Sequence, residues 1–471
     1  MLTSWQAYRG EARALFAIAW PTAIAQLAQV GTGVVDTIMA GRYGAEELAA
    51  VAIGYNIWLP LFLFGLGLMM ATSVTVAQAF GARRVQEIRD SLPQAVWLAL
   101  LLGAVIGPAC YLAGPLLDAL SLEGSTRDKS LDYLQAVAWG LPATAIFQAL
   151  RCHNQGLGLM KPYMVASIIG FIANIPLNYA FMFGRWGAPE LGAAGCGVAT
   201  AVCMWLGLVL LGAYSATVPA IRKYLPPLRP VAPNWPLLGG IARLGLPIGL
   251  SFFLEIGVFS TMGLMIATLG NNAMAAHQVA INLWDTMYMP MAAVGSAMAT
   301  RVGHAIGSGS GAAVQVAVRT GMSLVVLVAL SATLLLLSLP GPLVSLYTAD
   351  AGIHAIAEKL IRLAALFIII DSLQIGGSFC LRAFRDTRFP FVVTCLSYWC
   401  LSLPLAWWLG IKAQLPPAEG TAAIWGALIA GICVAMMLVM WRLRATLRRP
   451  LPAADAVSEE DERSPDTRDA A

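Results

Sequence analysis

Two stretches of this chain carry no charge over the full length of a membrane span. They are VWLALLLGAVIGPACYLAGPLL from Val96 and SLVVLVALSATLLLLSLPGPLVSL from Ser323. Each exceeds the roughly 18 apolar residues that cross a hydrocarbon core about 30 Å thick. Lipid offers no partner to an exposed peptide group, so a spanning segment must be a helix or a strand of a closed barrel. Barrel strands alternate apolar and polar residues over about ten positions, and these runs are longer and continuously apolar. Charge points the same way. Only 11% of the 471 residues are charged, against about 25% in soluble domains. So few ions cannot cover a soluble surface of this size.

Twelve spans follow from the hydropathy pattern: 15–40, 48–80, 92–117, 131–151, 162–184, 191–217, 241–269, 274–300, 313–340, 355–381, 390–411 and 421–442. The fold class is therefore an all-α polytopic membrane protein. Its first apolar run contains Asp36 and lacks a small-residue cleavage pattern, so we expect it to remain as a helix rather than leave as a signal peptide. With both termini in the cytoplasm, 22 of the 29 Lys and Arg residues fall on the cytoplasmic side, which fits the positive-inside rule. The chain is thus expected in a membrane as a multi-pass protein, with the 120–130 loop outside.

An internal repeat is legible without alignment. At an offset of 226, Pro21 matches Pro247, Gly44 matches Gly270, Asn56 matches Asn282, Trp58 matches Trp284 and Gly81 matches Gly307. At 228, Pro162 matches Pro390 and Pro176-Leu177 match Pro404-Leu405. Shared Trp, Asn and Pro at one offset imply two six-helix bundles of one design, 1–217 and 241–445. Such repeats recur in transporters, with the binding site between the halves. The six prolines within 218–240 predict an extended linker. The polar segment 446–471 predicts a disordered cytoplasmic tail.

Soluble-enzyme chemistry is missing. None of the five lysines follows a glycine, so there is no phosphate-binding P-loop, and the four histidines form no HExxH. An enzyme, and an ATP-driven pump on this chain alone, are excluded. No cofactor and no nucleic-acid partner are expected, and energy must come from a gradient. The eight scattered cysteines form no CxxC and read as free thiols in apolar runs.

Acids inside the spans carry the most information. Asp36, Glu255, Asp285 and Asp371 have no Lys or Arg within one turn. A carboxylate at mid-membrane costs about 2.5–3.5 kcal/mol on insertion scales, which makes each a functional candidate. The alternative is a protonated acid bonded to a neighbouring helix. Glu255, Asp285 and Asp371 should lie at similar depth, whereas Asp36 sits near the outer end of the first span. Asn174 and Asn178, one turn apart, could present amides to a solute or bond helices together. Pro21 and Pro247 permit helix bending. Asp285 stands among Trp284, Met287, Tyr288 and Met289. With Tyr288 it is a candidate for holding the positive group of a solute. No basic residue is expected deep in a helix.

The chain also contains VVDTIMAGRYG, LAAVAIGYNIWLP, VAQAFGARR, FQALR, KPYMVASIIGFIANIPLNY, APELGAAGCGVATA, AAHQVAINLW, RVGHAIG and LRAFRDT, in that order. These resemble the multidrug and toxic compound extrusion (MATE) family, in its bacterial NorM-like branch, from residue 13 to about 445. The resemblance implies a twelve-helix exporter of the bacterial inner (plasma) membrane, two six-helix bundles around a central cleft, that exchanges cationic or amphipathic drugs for H⁺ or Na⁺ by alternating access. It implies that Asp36, Glu255 and Asp371 couple the ion, with a possible Na⁺ at Glu255 and Asp371. Phe367 stands where the family can supply a hydroxyl, which leaves it as a drug contact rather than an oxygen ligand. Since a carboxylate alone suffices for a proton while Na⁺ wants several oxygens, H⁺ is favoured. Small organic cations and membrane lipid are the expected partners of a monomer. The alternatives are a flippase for lipid-linked precursors, which needs cationic residues in the cleft, a non-transporting receptor, and nutrient uptake.

Overall fold

The computed structural model describes residues 2–119, 124–226 and 231–450. In chain order the first half contains α1 (Leu2–Tyr43), α2 (Ala45–Gly81), α3 (Val85–Tyr111), α4 (Gly114–Ala119), α5 (Gly124–Ala138), α6 (Leu141–Gly156), α7 (Lys161–Phe183) and α8 (Ala193–Thr217). The one-turn α9 (Pro219–Arg222) follows. The second half contains α10 (Trp235–Ala267), α11 (Asn271–Gly307), α12 (Gly311–Ser338), α13 (Pro340–Ser345), α14 (Ala351–Ala383), α15 (Arg388–Thr394), α16 (Leu403–Trp407) and α17 (Pro417–Leu447). No strand occurs among the described residues.

All twelve expected spans coincide with helix, and among the described residues nine helices are long and apolar enough to cross a membrane. The other three are the broken α5–α6 pair, α11 and α14. The last two are diluted by polar residues such as Asp285 and Asp371, so a purely apolar criterion passes over them. The expected 120–130 loop is helical from Gly124 onward, and residues 120–123 lie outside the described residues. The 218–240 segment is not wholly extended either, because α9 forms at Pro219 and α10 begins at Trp235. Proline is well placed in a first helical turn, where its missing N–H would have no partner. Residues 451–471, most of the expected tail, lie outside the described residues, and α17 continues to Leu447.

Duplication extends from sequence to backbone. α2 and α11 both have 37 residues and begin and end at the same offset of 226. Left-handed residues recur in pairs: Arg83 (φ 59°) with Gly309 (φ 71°), Gly158 (φ 76°) with Arg385 (φ 60°), and Trp186 (φ 58°) with Gln414 (φ 50°). Such a conformation is unfavourable for a residue with a Cβ. At these repeat-related chain reversals the same turn geometry is held by a Cβ-bearing residue in four of the six positions.

One segment departs from the repeat. The eleventh span is interrupted by π-helical turns at Cys395–Ser402 and Trp408–Lys412. In the first of them the Ser402 hydroxyl donates to the Ser397 carbonyl at 3.0 Å, five residues back. Its counterpart α7 stays α-helical through Pro176.

Packing resolves the chain into two units. One comprises Met1–Trp20 with Leu250–Ala454, and the other contains Pro21–Gly249. The division therefore falls at Pro21 and two residues after Pro247, rather than at the linker. Each half lends the first part of its first long helix to the other unit. In the first-half unit, a Cβ on Gly67 would meet the Gly249 Cα at 2.6 Å. Backbone approach of this kind is how membrane helices associate where lipid is as apolar as leucine. In the other unit the Arg301 guanidinium donates two hydrogen bonds to Glu11, at 2.8 and 2.6 Å, fixing the start of α1 to α11. The core of that unit is an apolar cluster of α10, α11, α14 and α17 around Phe367 and Trp425.

Candidate functional site

Each unit holds its own polar site. In the first-half unit, Asp36 on α1 is surrounded by donors from α7 and α8. Asn174 and Asn178, one turn apart and fully buried, donate to Asp36 Oδ1 at 3.1 and 2.6 Å. The Thr200 hydroxyl lies 3.4 Å from Oδ2. Asn178 also donates to Asn174 Oδ1 at 3.1 Å, while its own Oδ1 is buried with no partner. Hydrogen bonds to a charged group contribute about 1.5–3 kcal/mol each, and against them stands a desolvation cost of several kcal/mol. The two asparagines, read above as candidates for a solute, thus spend their amide donors on the acid of α1. Thr200 had no signal of its own in the sequence.

The second-half unit places Glu255 on α10, Asp285 and Tyr288 on α11, and Asp371 on α14. Tyr288 lies close enough to Glu255, Asp285 and Asp371 for each of their charges to act on its hydroxyl. Glu255 and Asp371 also act on one another. Asp371 is buried, and the Trp284 indole faces it without closing a hydrogen bond. Both Trp284 Nε1 and Asp371 Oδ2 are left without a partner. An unpaired buried acceptor beside a second acid is a ready seat for a proton or another small cation.

Aromatic rings wall this site. Phe259 and Trp284 lie 4.8 Å apart between centroids, Trp284 and Tyr288 5.3 Å. Phe367 packs edge-on against Trp284 at 5.7 Å and Trp425 at 6.4 Å. At 1% exposure Phe367 belongs to the core, so its ring supports Trp284 instead of offering a face to a solute. The half-buried faces are those of Phe259, Trp284 and Tyr288. Rings of this kind hold organic cations through their negative faces, by about 0.5–2 kcal/mol each.

Buried arginines correct one expectation. Arg151 on α6 is 5% exposed, donates to Gln148 Oε1 at 3.0 Å and stands over the Tyr163 ring. Arg382 on α14 is 7% exposed and lies between Phe252 and Phe379. Both occupy the ends of broken or polar spans, where hydropathy places a cation at the membrane surface. Burial comes from neighbouring helices that the sequence does not reveal.

Two units of helical membrane protein, each with buried acids among polar or aromatic partners, define a polytopic transporter. A family model described as MatE matches residues 21–180 and 247–408, more than half of the chain. Its two matches start at Pro21 and Pro247, in step with the repeat. The Multidrug resistance protein MdtK of Edwardsiella ictaluri is 38% identical over 446 residues, covering 94% of this chain and 98% of that protein. MdtK of Yersinia pestis is 37% identical over the same length and shares. The crystal structure of the eukaryotic MATE transporter AtDTX14 superposes with a TM-score of 0.85 over 97% of this chain and all of that one, at 20% identity. The chain belongs to the MATE family, whose members are membrane transporters and not enzymes.

Proposed function

We propose that this protein is a secondary active multidrug exporter of the bacterial inner membrane that exchanges cationic or amphipathic drugs for H⁺. The relatives named for multidrug resistance support the substrate class. One observation carries the coupling: Asp371 Oδ2 is buried without a partner, and Asp371 and Glu255 lie within charge reach of one another in the unit that holds the half-buried rings. A carboxylate that holds either an ion or the positive group of a drug, but not both, converts one gradient into another. Proton binding needs only the carboxylate. Na⁺ binding would use Glu255 and Asp371 as oxygen donors, and Phe367 supplies none. Asp36, wrapped in amide donors, is a second proton-binding acid in the other unit. The chain acts as a monomer by alternating access with both termini in the cytoplasm.

Proteoliposomes test this directly. Drug movement driven by an imposed pH gradient without Na⁺ is the expected result. Movement under a Na⁺ gradient alone would replace H⁺ with Na⁺, and movement under neither would refute coupled exchange.

A further inference from the structure

Arg382 is a buried cation that makes no hydrogen bond and no ion pair among the described residues, and its Nη1 is fully enclosed without an acceptor. Arg301 has Glu11, Arg442 has Asp386 at 2.7 Å and Arg151 has Gln148 as acceptors, while Nε of Arg385, three residues on, shares the lack of one. A guanidinium removed from water without an acceptor is costly, so an unsatisfied one implies an acceptor that comes and goes. Its position is fixed by carbon rather than by charge. The Phe252 and Phe379 centroids lie 5.1 and 4.8 Å from its central carbon. Phe379 is itself wedged against Gly295, where a Cβ would meet its ring at 2.6 Å. Stacking holds the planar group and leaves its N–H edge free, the arrangement that suits a two-pronged grip on a carboxylate.

The surroundings point the same way. Ser378, four residues before Arg382 and on the same face of α14, is 4% exposed with its hydroxyl unpartnered. Asp371 lies seven residues before Ser378, again on that face. At about 1.5 Å per residue, the acid stands about 10 Å from the serine and about 16 Å from the arginine. On α10, Phe252 is one turn from Glu255, whose charge reaches Arg382. The stripe is therefore acidic and aromatic at one end and cationic at the other.

We infer that Arg382 and Ser378 form an anion-binding subsite for the carboxylate of zwitterionic amphipathic substrates, whose positive group occupies the acid and aromatic end. This rests on the export activity proposed above and gives the carboxylate a recognition group of its own. The site faces Glu255 and Tyr288 within the unit, which favours a transported carboxylate over a lipid phosphate.

The test compares rhodamine B, a cationic dye with a free carboxylate, with its ethyl ester, a cation only. Transport is measured in phosphatidylcholine proteoliposomes with wild type, Arg382→Gln, Arg382→Lys and Ser378→Ala. Loss of a hydrogen bond to a charged group predicts that Arg382→Gln raises the apparent KM for rhodamine B about tenfold or more, with the ester changed less than about twofold. Ser378→Ala should shift the same ratio by a smaller factor, and Arg382→Lys should restore part of it. A purely structural arginine would not change the ratio between the two dyes. Equal loss of both dyes in Arg382→Gln, with Ser378→Ala leaving their ratio unchanged, would make Arg382 an internal counter-charge of Glu255 and overturn the subsite. No change in either dye would overturn it as well. Failure of the wild type to move the ester would instead count against the export reading itself.

Discussion

Asn178 donates its side-chain amide to Asp36 at 2.6 Å, across 142 residues of chain and between the first and fifth spans. With Asn174 it gives the carboxylate two amide donors from one helical face. Replacing Asp36 by Asn keeps volume and shape but removes the carboxyl that can take and release a proton. We expect Asp36→Asn to insert and fold, and to lose most gradient-driven export. Asn178→Leu should act differently. It removes the strongest donor and destabilises by about 1–3 kcal/mol, because Asp36 loses a partner in a buried site. Thermal unfolding in detergent, read beside transport, separates the two. Full transport by Asp36→Asn would remove this acid from the mechanism.

Glu255 and Asp371 supply a sharper contrast, because no amide donors among the described residues surround them and Asp371 Oδ2 is buried without a partner. Glu255→Gln and Asp371→Asn should each abolish drug-driven proton exchange while leaving membrane levels and unfolding temperature close to wild type. Drug binding can persist in both, since the Phe259, Trp284 and Tyr288 rings remain. Proton uptake on drug release, followed with a pH-sensitive dye in proteoliposomes, is the measurement. Normal exchange in either variant would clear that residue of a coupling role.

Asp285 is half-buried and has no hydrogen-bond partner among the described residues, with Tyr288 three residues on. An acid so placed attracts positive groups without being committed to the coupling ion. Asp285→Asn should weaken export of permanently charged dyes by about three- to tenfold, the loss of one partly screened charge contact. Neutral drugs should move at nearly the wild-type rate. An equal loss across drug classes would assign Asp285 to coupling or structure instead.

Much of this was legible in the sequence because membrane physics leaves few options. Apolar length set the spans, and the offset of 226 between Trp58 and Trp284 foretold two copies of one helix pair with identical bounds. Intramembrane acids announced themselves by their cost. What escaped depends on helix-to-helix contact. Asn174 and Asn178 look the same in sequence whether they face a solute or Asp36. Phe367 reads as a site residue until Trp284 and Trp425 enclose it. Arg382 lies one residue before the end of its helix, where a cation normally reaches water, and only Phe252 from α10 shows that it does not. The two π-helical turns had no cue beyond Pro404, since Pro176 at the matching position leaves α7 regular.

Outside the spans, Glu47 and Gly192 make a structural prediction independent of transport. Glu47 Oε2 accepts from the Ala193 N–H at 2.6 Å, satisfying a first-turn donor of α8, while Oε1 pairs with Lys129 at 3.0 Å. Gly192 makes room for it. Its φ of +56° and ψ of −127° suit glycine, and a Cβ would meet Glu47 Oε2 at 2.9 Å. Gly192→Ala combines backbone strain with that clash and should destabilise by about 1–3 kcal/mol. A drop in unfolding temperature with unchanged substrate selectivity is the expected outcome. An unchanged unfolding temperature would show that α8 begins differently.

The same corner gives a pH dependence and a topology test. Lys129 at 2.6 Å and the Ser125 hydroxyl at 2.8 Å hold the Glu46 carboxyl below its ordinary value of 4.5. A depressed carboxyl contributes stability that is present above that ordinary value and is lost as pH falls through the lower folded one. The link from α2 to α5 should therefore persist throughout the neutral range and loosen only in acid, below that ordinary value. Glu46→Gln should remove this dependence with little effect at neutral pH, because the group is exposed and screened. Asp128, 70% exposed beside this cluster, is the place to ask which side it faces. With both termini cytoplasmic, Asp128→Cys should react with an impermeant thiol reagent added outside intact cells, and the reaction should not require permeabilisation. Labelling only after permeabilisation would reverse the orientation and, with it, the direction in which protons and drugs are exchanged.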